Sequence, residues 1–299
     1  MVEAIPYNTA FIINPAGGGG NSGRIWVRIA QQLDQSGQQY LAYFTEARGD
    51  GTRLTEQAVA AGAELVVAVG GDGTIREVIN GINVNKNILG IIPLGTGNGF
   101  RRSCNIPGKW ESALNGLSQW SPRVIDIGEV NGTLFLNVVG IGFDAAVENI
   151  ASGKYKNLKG YLSYIAAFFK ELVSFKAFQS SLVCDGTVCV ESNTFLVVAA
   201  NGSYYGGNMC IAPQARIDDG YLDIFLIKKM NAFETTFLAL KVLLKKPLDH
   251  ESVITKKTRQ IYIYAESDVP VHIDGEVIGK MPIEIKIKPA ALRVLAPAG

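Results

Sequence analysis

Three glycine-rich segments have the residue types and spacing that fit phosphate chemistry. Each follows a short apolar run: NPAGGGG (14–20), GGDGT (70–74) and PLGTGNGFRRS (93–103). Glycine permits φ > 0 and lets backbone N–H groups approach an anion without interference from a Cβ atom. A helix that begins directly after such a turn adds the positive end of its dipole. The three segments therefore predict a site for phosphate groups.

One acid, Asp72, lies among the glycines of the second segment. A carboxylate repels phosphates unless a metal ion or a protonated hydroxyl lies between them, and Mg²⁺ usually fills that position. The alternative role for Asp72 is that of a turn residue or helix cap. Thr74 suits a helix cap or a bond to a phosphate oxygen. Arg101 and Arg102, beside the third segment, either neutralise phosphate charge or are solvated surface charges.

The elements that must position these segments are alternating strands and helices. Apolar runs lie at 9–14, 39–44, 64–69 and 88–93, with helical patterns between them. Three of the four runs lack in-out alternation, which indicates strands covered on both faces of a parallel sheet. The alternation of strand and helix predicts an open α/β sheet, which binds ligands beyond the carboxyl ends of its strands. Segment 44–50, FTEARGD, adds Thr45 to that edge.

After Pro122 the sequence becomes mostly antiparallel β. Asn131-Gly132 between two β runs is a strong hairpin signal. Helical patterns at roughly 158–175 and 232–246 interrupt later strand candidates that extend to residue 288. We therefore predict a first domain over 1–122 and a second over 123–289.

Composition narrows the class of protein. A net charge of +1 gives no support for a nucleic-acid partner. The cysteines lack metal-ligand spacing and are expected to be reduced, apolar side chains: Cys104, Cys184, Cys189 and Cys210. His250 and His272 are expected to be structural or surface residues. No signal peptide and no apolar run of ~20 residues is found, so we expect a cytoplasmic protein with at most peripheral membrane contact.

The motifs together resemble the diacylglycerol-kinase catalytic-domain family. This family includes soluble bacterial lipid kinases and the sphingosine and ceramide kinases, with NAD kinases and phosphofructokinases more distant. The resemblance lies in NPAGGGG, GGDGTIREVINGI and PLGTGNGFRRS, in that order, and continues through 137–147, 202–227 and IDGEV (273–277). It covers nearly the whole chain. The signatures of P-loop NTPases and protein kinases are absent.

The resemblance implies an open parallel α/β nucleotide-binding domain and an antiparallel β-sandwich domain on the lipid side, with ATP and the acceptor in the cleft between them. It implies that the tail 290–299 packs back on the first domain. The implied cofactors are ATP and Mg²⁺, and the implied catalytic residues are Asp72 and Glu276, with Glu276 as general base. The implied nucleotide contacts are Asn14, Pro15, Ala16, Gly17, Gly18, Thr45, Gly70, Gly71, Asp72, Gly73, Thr74, Ile75, Arg76 and Thr96. The implied structural metal ligands are Asp219 and, through their backbone, Arg216 and Tyr221.

The sequence departs from the family at one position. The motif usually reads G-T-x-N-D, and Gly99 stands in place of the aspartate. This weakens the metal assignment, and with it activity, more than it weakens nucleotide binding, and it makes a non-catalytic nucleotide-binding regulator a more credible alternative. A kinase for a sphingoid base or another lipid, and a soluble-acceptor kinase like the NAD kinases, also fit the motifs. On residues alone, Glu276 is equally a hairpin-turn glutamate. The sequence is compatible with a homodimer. It does not specify the lipid acceptor or the acyl preference.

A route to the lipid is suggested by segment 231–247. Phe233, Phe237, Leu240 and Leu244 share one helical face, with Lys241, Lys245 and Lys246 beside it. Such a helix either lies on anionic lipid at a membrane surface or simply covers the β domain. Segment 161–175 allows the same two interpretations.

Overall fold

The structure, a computed structural model, describes residues 3–154, 161–205, 209–244, 246, 248–265, 268–279 and 281–298. The chain divides into two units, Met1–Ile127 with Pro289–Gly299, and Gly128–Lys288. The sequence interpretation places these boundaries at residues 122 and 289. Each unit has its own hydrophobic core.

The first unit alternates strands and helices. Its elements are β1 (Thr9–Ile13), α1 (Gly17–Gly20), α2 (Ser22–Gln35), β2 (Tyr40–Phe44), α3 (Asp50–Ala60), β3 (Leu65–Gly70), α4 (Asp72–Ile79), β4 (Ile88–Pro93), α5 (Gly99–Ser103), α6 (Trp110–Gln119) and β5 (Pro122–Val130), which continues into the second unit. The parallel strands run in the order β4-β3-β1-β2. Arg293 and Val294, near the end of the chain, pair in parallel with Ile88 and Leu89 of β4.

Burial in this sheet explains the sequence pattern. Every residue of β1, β3 and β4 is buried, whereas the edge strand β2 is half-buried to exposed. Strands covered on both faces need apolar side chains at every position, so in-out alternation is lost. Trp26, Ile29 and Leu33 on α2 pack into the same core. The predicted open α/β sheet is confirmed.

The second unit is an antiparallel β structure with helices. Its elements are β6 (Thr133–Phe135), β7 (Val138–Gly142), α7 (Phe143–Ser152), α8 (Tyr161–Ser174), β8 (Phe178–Cys184), β9 (Thr187–Ala200), β10 (Tyr204–Tyr205), β11 (Met209–Cys210), β12 (Leu222–Lys228), α9 (Ala232–Leu243), β13 (Val253–Thr258), β14 (Gln260–Ala265), β15 (Val271–Ile273), β16 (Glu276–Gly279) and β17 (Ile283–Leu295), which continues into the first unit. Neighbouring pairs such as β7 with β9 and β9 with β12 are antiparallel.

Alternate residues of β9 pack into two different hydrophobic cores. Val197 and Ala199 pack into a core with the strands β14 and β17, through side chains such as Ile261. Val198 and Ala200 pack on the opposite face, in a core to which helices α7, α8 and α9 contribute. Successive side chains of a strand point to opposite faces, so the part of β9 that lies between the two layers, 194–200, is buried throughout. The predicted β-sandwich domain is confirmed, with helices over one face.

Three details correct the sequence analysis. Helix α7 is a third helix of this unit, where only two were expected. Helix α9 ends at Leu243, and not at residue 246. The expected start of the preceding helix, at 158, lies outside the described residues, and α8 extends to Ser174.

The cysteine expectation is wrong for one pair. Cys184 and Cys189 form a disulfide across the turn that joins β8 to β9. Their positions at opposite ends of a tight hairpin bring the sulfur atoms together, a proximity that sequence separation alone did not suggest. Cys104 and Cys210 are buried and not disulfide-bonded, as expected. The Asn131-Gly132 hairpin between β5 and β6 is confirmed, with both residues at positive φ.

Candidate functional site

The glycine-rich segments meet at one edge of the parallel sheet. Ile13 at the end of β1 lies beside Phe44 of β2 and Val69 of β3, and Gly70 lies beside Pro93 of β4. The segments that follow these strands therefore start side by side. We call this the strand-end edge. It brings together the predicted nucleotide contacts that follow β1, β2, β3 and β4.

Close backbone contacts fix the first and the second of these glycine turns to the third. A Cβ atom added at Gly95 would lie 2.4 Å from the Cα atom of Gly71. Gly18 has a φ of 59°, and a Cβ atom there would lie 2.3 Å from the carbonyl oxygen of Leu94. Only glycine permits approaches this close. The first and second glycine segments thus each pack on the third.

Asn14 and Thr74 link the first and second segments. The Asn14 side chain donates to Thr74 Oγ1 over 3.3 Å, and its oxygen accepts from the N–H of Ala16 over 3.1 Å. Thr74 is buried inside the first turn of α4 and its side chain makes no cap, so the expected capping role is wrong. Its hydroxyl instead orients the Asn14 amide.

Asp72 is held by the backbone of the third segment. One carboxylate oxygen accepts from the N–H of Gly99 over 2.9 Å, and the other from the N–H of Phe100 over 3.1 Å. These donors lie at the start of α5, where N–H groups lack partners within the helix. Asp72 therefore caps α5 of the third segment, and not the helix α4 that it begins. Each oxygen retains a second lone pair, so a further role toward a metal or its water is compatible with this contact.

Neither backbone conformation nor close packing requires a glycine at position 73. Its φ is not positive, and an added Cβ atom would meet nothing within 4 Å. The residue is exposed in the first turn of α4, where alanine would stabilise the helix better than glycine. A glycine at this exposed position leaves space for a group outside the fold. Its position at the strand-end edge fits the approach of a phosphate.

The other predicted nucleotide contacts differ in accessibility. Thr96 is exposed, whereas the Ile75 side chain is fully buried and its N–H donates to the Gly71 carbonyl, so Ile75 offers a ligand little. Half-buried or exposed at this edge are Pro15, Ala16, Gly17, Thr45 and Arg76.

In the second unit, Glu276 is the half-buried first residue of β16. It follows a turn in which Asp274 and Gly275 have φ of 49° and 84°. The Asp274 carboxylate accepts from the N–H groups of Leu136, Asn137 and Val138 over 2.9–3.0 Å. These bonds tie the turn to the start of β7. Glu276 therefore sits on a turn that distant residues hold in place.

A buried pair lies behind this turn, and the sequence analysis did not find it. His272 Nε2 lies 2.9 Å from a carboxylate oxygen of Asp144, and His272 Nδ1 accepts from the N–H of Gly275 over 3.3 Å. A Cβ atom at Gly140 would lie 2.0 Å from Asp144 and 2.2 Å from His272, so glycine is required there. Burial lowers the pKa of His272 and the Asp144 carboxylate raises it, with a net increase. The sequence signal that could have indicated this pair is the position of His272 inside the apolar run VHI (271–273).

Glu148 on α7 lies next to the same turn. A Cβ atom at Gly275 would lie 3.8 Å from Glu148 Oε2. The Tyr164 hydroxyl is 3.3 Å from the other Glu148 oxygen. Burial raises the pKa of Glu148, although His272 and Tyr164 oppose the shift. A second carboxyl group is therefore close to the Glu276 turn.

The predicted structural metal position holds a lysine. Lys257 Nζ lies 2.5 Å from Asp219 Oδ2 and 3.6 Å from Asp223 Oδ2, and the pKa of Lys257 is raised chiefly by the hydrogen bond to Asp219. The Tyr221 N–H donates to the other Asp219 oxygen over 3.1 Å, and Arg216 pairs with its neighbour Asp218. The ammonium supplies the positive charge that a metal would supply, so this donor set does not fit a metal ion. No group of three or more ligating side chains occurs within the described part of the chain.

Two family models match the chain. One, the diacylglycerol kinase catalytic domain, matches residues 8–130, and the other, the YegS C-terminal NAD kinase beta sandwich-like domain, matches residues 137–296. Diacylglycerol kinases of Staphylococcus aureus (strain MRSA252) and Bacillus subtilis (strain 168) are each 30% identical, over 96% and 91% of this chain and 91% of each relative. The chain belongs to the diacylglycerol-kinase catalytic-domain family.

Solved structures agree with this family. A crystal structure of a candidate diacylglycerol kinase from Bacillus anthracis is 26% identical, with a TM-score of 0.79 over 98% of both chains. An NAD kinase from Archaeoglobus fulgidus, solved with ATP, is 12% identical, with a TM-score of 0.53 over 96% of this chain and 93% of that one. This second likeness concerns the fold alone.

The two matched regions divide the candidate residues between them. The diacylglycerol kinase catalytic-domain match contains the whole strand-end edge, and the sandwich-like match contains Glu276, His272 and Asp219. Membership of the diacylglycerol-kinase family makes the chain a kinase of the lipid-kinase type. None of the helices that the structure describes is long and apolar enough to cross a membrane.

Proposed function

We propose that the protein transfers the γ-phosphoryl group of ATP to a hydroxyl of diacylglycerol or a related lipid. The observation that carries this proposal is the strand-end edge, where the segments after four parallel strands lie side by side. Ligands of open α/β sheets bind at such edges. The names of the relatives support the lipid acceptor.

The first unit holds the nucleotide in this proposal. Phosphoryl transfer needs positioning and charge neutralisation more than covalent chemistry from the protein. The backbone near the half-buried Gly17 and Gly18 and the exposed Gly73 approaches the phosphates, and Asn14 and Thr45 flank them. Mg²⁺ supplies charge neutralisation when it is bound with the nucleotide. Asp72 would hold that ion or its water with the lone pairs that the Gly99 and Phe100 N–H groups leave available.

The second unit acts on the acceptor. Glu276 accepts the proton of the lipid hydroxyl or orients that hydroxyl. The bonds from Asp274 to the start of β7 keep its turn in place, as general-base catalysis requires. The two units must act on one pair of substrates for transfer to occur.

The protein reaches its lipid by peripheral contact at the inner face of the cytoplasmic membrane. Support comes from α9 and the residue after it, where Phe233, Phe237, Leu240 and Leu244 are exposed by 81%, 51%, 49% and 57%. Four large apolar side chains exposed at helical spacing, with Lys241 and Lys246 nearby, suit an interfacial helix on anionic lipid. Co-sedimentation with anionic liposomes should fall in a Phe233→Ser, Phe237→Ser double variant. Equal binding of both proteins would leave the helix as a cover of the β unit.

Transfer of radiolabel from [γ-³²P]ATP to a panel of acceptors tests the proposed reaction. The panel contains diacylglycerol, ceramide, sphingosine and NAD, each with Mg²⁺. Label in diacylglycerol is expected. Label in a sphingoid base alone, or in NAD alone, would show that the acceptor is not diacylglycerol. Label in no acceptor, combined with tight ATP binding, would favour a nucleotide-binding regulator and contradict the kinase.

A further inference from the structure

The segment that follows β2 differs from the glycine-rich segments in how its backbone is bonded. We call residues 45–50 the β2 loop. The N–H groups of residues 45–47 and 49–51 all donate to oxygen atoms of the fold. A phosphate that is held by backbone needs N–H groups that are still available. The β2 loop therefore has few backbone donors left for a phosphate.

Glu77 of α4 accepts two of these bonds. One of its carboxylate oxygens accepts from the N–H of Gly49 over 2.8 Å, and the other accepts from the N–H of Gly51 over 2.8 Å. Gly49 directly precedes α3, and Gly51 lies in the first turn of α3, where N–H groups lack partners within the helix. Glu77 thus caps α3 from a neighbouring helix, with two hydrogen bonds of the stronger, charge-assisted kind.

Two glycines allow α3 and α4 to lie close enough for these bonds. A Cβ atom added at Gly51 would lie 2.6 Å from Glu77 Oε2, and one added at Gly81, just after α4, would lie 2.4 Å from the carbonyl oxygen of Thr52. The Thr52 hydroxyl also donates to the carbonyl oxygen of Glu77 over 2.9 Å. Because α4 begins at Asp72 in the second glycine segment, Glu77 links the β2 loop to that segment.

The charges at the start of α3 also disfavour a phosphate. The N–H groups of Ala47 and Glu46 donate to Asp50 over 2.8–2.9 Å, and these bonds hold the pKa of Asp50 below its usual value. Two carboxylates, Asp50 and Glu77, therefore already lie at the positive end of this helix, and Arg53 pairs with Asp50 alone. Ribose hydroxyls carry no charge and donate readily to a carboxylate. The exposed Glu46 suits such a partner.

The strand order places the β2 loop at one end of the strand-end edge. The parallel strands run β4-β3-β1-β2, so β2 ends this order and lies beside β1. Glycine-rich segments follow the other three strands. Because neighbouring strands are about 4.8 Å apart, a nucleoside attached to phosphates at those segments reaches the β2 loop. The half-buried Thr45 and the exposed Glu46 lie at that end.

We propose that Glu77 is a positioning residue that holds the β2 loop in the conformation that binds the nucleoside part of ATP. Both oxygens of Glu77 bond to backbone, so the residue acts through the loop and not on the nucleotide. Thr45 and Glu46 are the residues that the loop presents to the ribose. The inference deepens the proposed kinase function and rests on it for the nucleotide.

Calorimetry with two ligands separates the nucleoside from the phosphates. The ligands are ATP and inorganic tripolyphosphate, each with Mg²⁺, added to the full-length protein. The wild type should bind ATP about tenfold more tightly than tripolyphosphate. Glu77→Ala should bind ATP about tenfold more weakly, because small displacements of a positioning group have effects of this size, and should bind tripolyphosphate within about twofold of the wild type.

The same titrations distinguish failure of the inference from failure of the proposed function. An unchanged affinity of Glu77→Ala for ATP, or equal losses for ATP and tripolyphosphate, would overturn the positioning role and leave the nucleotide site intact. A wild type that binds ATP no better than tripolyphosphate would remove the nucleoside surface. A wild type that binds neither ligand would contradict the proposed kinase and the inference with it.

Gly51→Ala tests the same bonds without a change at Glu77. The added Cβ atom would displace the Glu77 carboxylate, so the loss of ATP affinity should match that of Glu77→Ala. The double variant should lose no more than either single variant, because both remove one interaction. Glu56→Gln, an exposed change on α3, should leave both affinities within about twofold of the wild type. Additive losses in the double variant would contradict the proposal.

Kinetics and hydrogen exchange distinguish positioning from a general loss of fold. At a temperature at which circular dichroism shows each variant folded, Glu77→Ala should raise KM for ATP about tenfold, with kcat within about twofold of the wild type. The amide hydrogens of Gly49 and Gly51 should exchange faster. If Glu77→Ala does not fold, Glu77→Gln, which keeps one acceptor oxygen, should show a smaller rise in KM. A fall in kcat with unchanged KM would overturn the proposal.

Discussion

Asp72 in the first unit and Glu276 in the second are the two acids of the proposed mechanism, and the protein holds them in different ways. Asp72 accepts directly from the N–H groups of Gly99 and Phe100, which belong to the neighbouring glycine segment. Glu276 is the half-buried residue that follows a turn, and other residues hold that turn: Asp274 bonds to the start of β7, and His272 links Gly275 to Asp144.

The strand-end edge is built from backbone contacts, whereas the surroundings of Glu276 are built from side-chain contacts. At the strand-end edge, glycine turns pack on one another, so the residues that matter are adjacent in the sequence and rich in glycine. Around Glu276, the supporting groups come from residues 136–148 and 272–274, more than a hundred positions apart. We therefore expect substitutions at Glu276 to affect chemistry, and substitutions at Asp72 to affect the order of the nucleotide turns as well.

The largest effect is expected for Glu276→Gln. Removal of a general base typically lowers kcat by about 10²–10⁴-fold, while ATP affinity should stay unchanged because Glu276 is assigned to the acceptor. Steady-state kinetics and ATP titration measure the two quantities. Glu191→Gln, an exposed change on β9, is the matched control. Near-normal turnover of the Glu276 variant would remove this residue from the mechanism.

Two variants of His272 distinguish its bond to Asp144 from its bond to Gly275. Glutamine at 272 can keep a donor toward Asp144 but loses the acceptor for Gly275, and asparagine does the reverse. If the bond to Gly275 positions Glu276, His272→Gln should lower kcat about tenfold more than His272→Asn, with KM for ATP unchanged. Both should lose about 1–3 kcal/mol of unfolding free energy, because each leaves a buried group without its partner. Equal kcat values would reduce the pair to a purely structural contact.

Asp72→Asn probes the backbone-held acid. The new amide group cannot accept from one of the two N–H donors, so unfolding free energy should fall by about 1.5 kcal/mol and ATP should bind more weakly. Guanidinium unfolding and ATP titration give the two values, with the exposed Asp249→Asn as control. Full stability with lost activity would assign Asp72 to the metal alone and contradict its role in joining the turns.

The smallest effect concerns Lys257. Its ammonium stands beside Asp219 and Asp223, so the melting temperature of the wild type should not respond to millimolar Mg²⁺ or to EDTA. Lys257→Gln should lower the melting temperature by about 1–2 °C, a small change because the pair is partly exposed. A wild-type protein stabilised by Mg²⁺ at this position would return Asp219 to the role of metal ligand.

The contrast also explains what the sequence could predict. The parallel sheet, its edge and the glycine segments follow from local pattern, since buried strands and positive-φ turns leave signatures within a few residues. The family resemblance then placed Glu276. The Asp144–His272 pair, the Asp274 anchor and the Lys257–Asp219 contact depend on side chains far apart in the chain, so no local pattern reports them. Helix α7 was missed because it begins directly after β7, and the two glycines at the junction, Gly140 and Gly142, were included in the β run.

The central claim is that the strand-end edge holds the ATP phosphates, and calorimetry on Gly73→Ala tests it most directly. A Cβ atom added at Gly73 would meet nothing within 4 Å, so alanine should leave the free energy of unfolding unchanged or raise it by up to ~1 kcal/mol through helix propensity. The wild type should release heat on binding ATP·Mg, and Gly73→Ala should bind at least ~tenfold more weakly, a loss of ~1.4 kcal/mol. Equal affinity of the two proteins, or no heat from the wild type, would contradict the account.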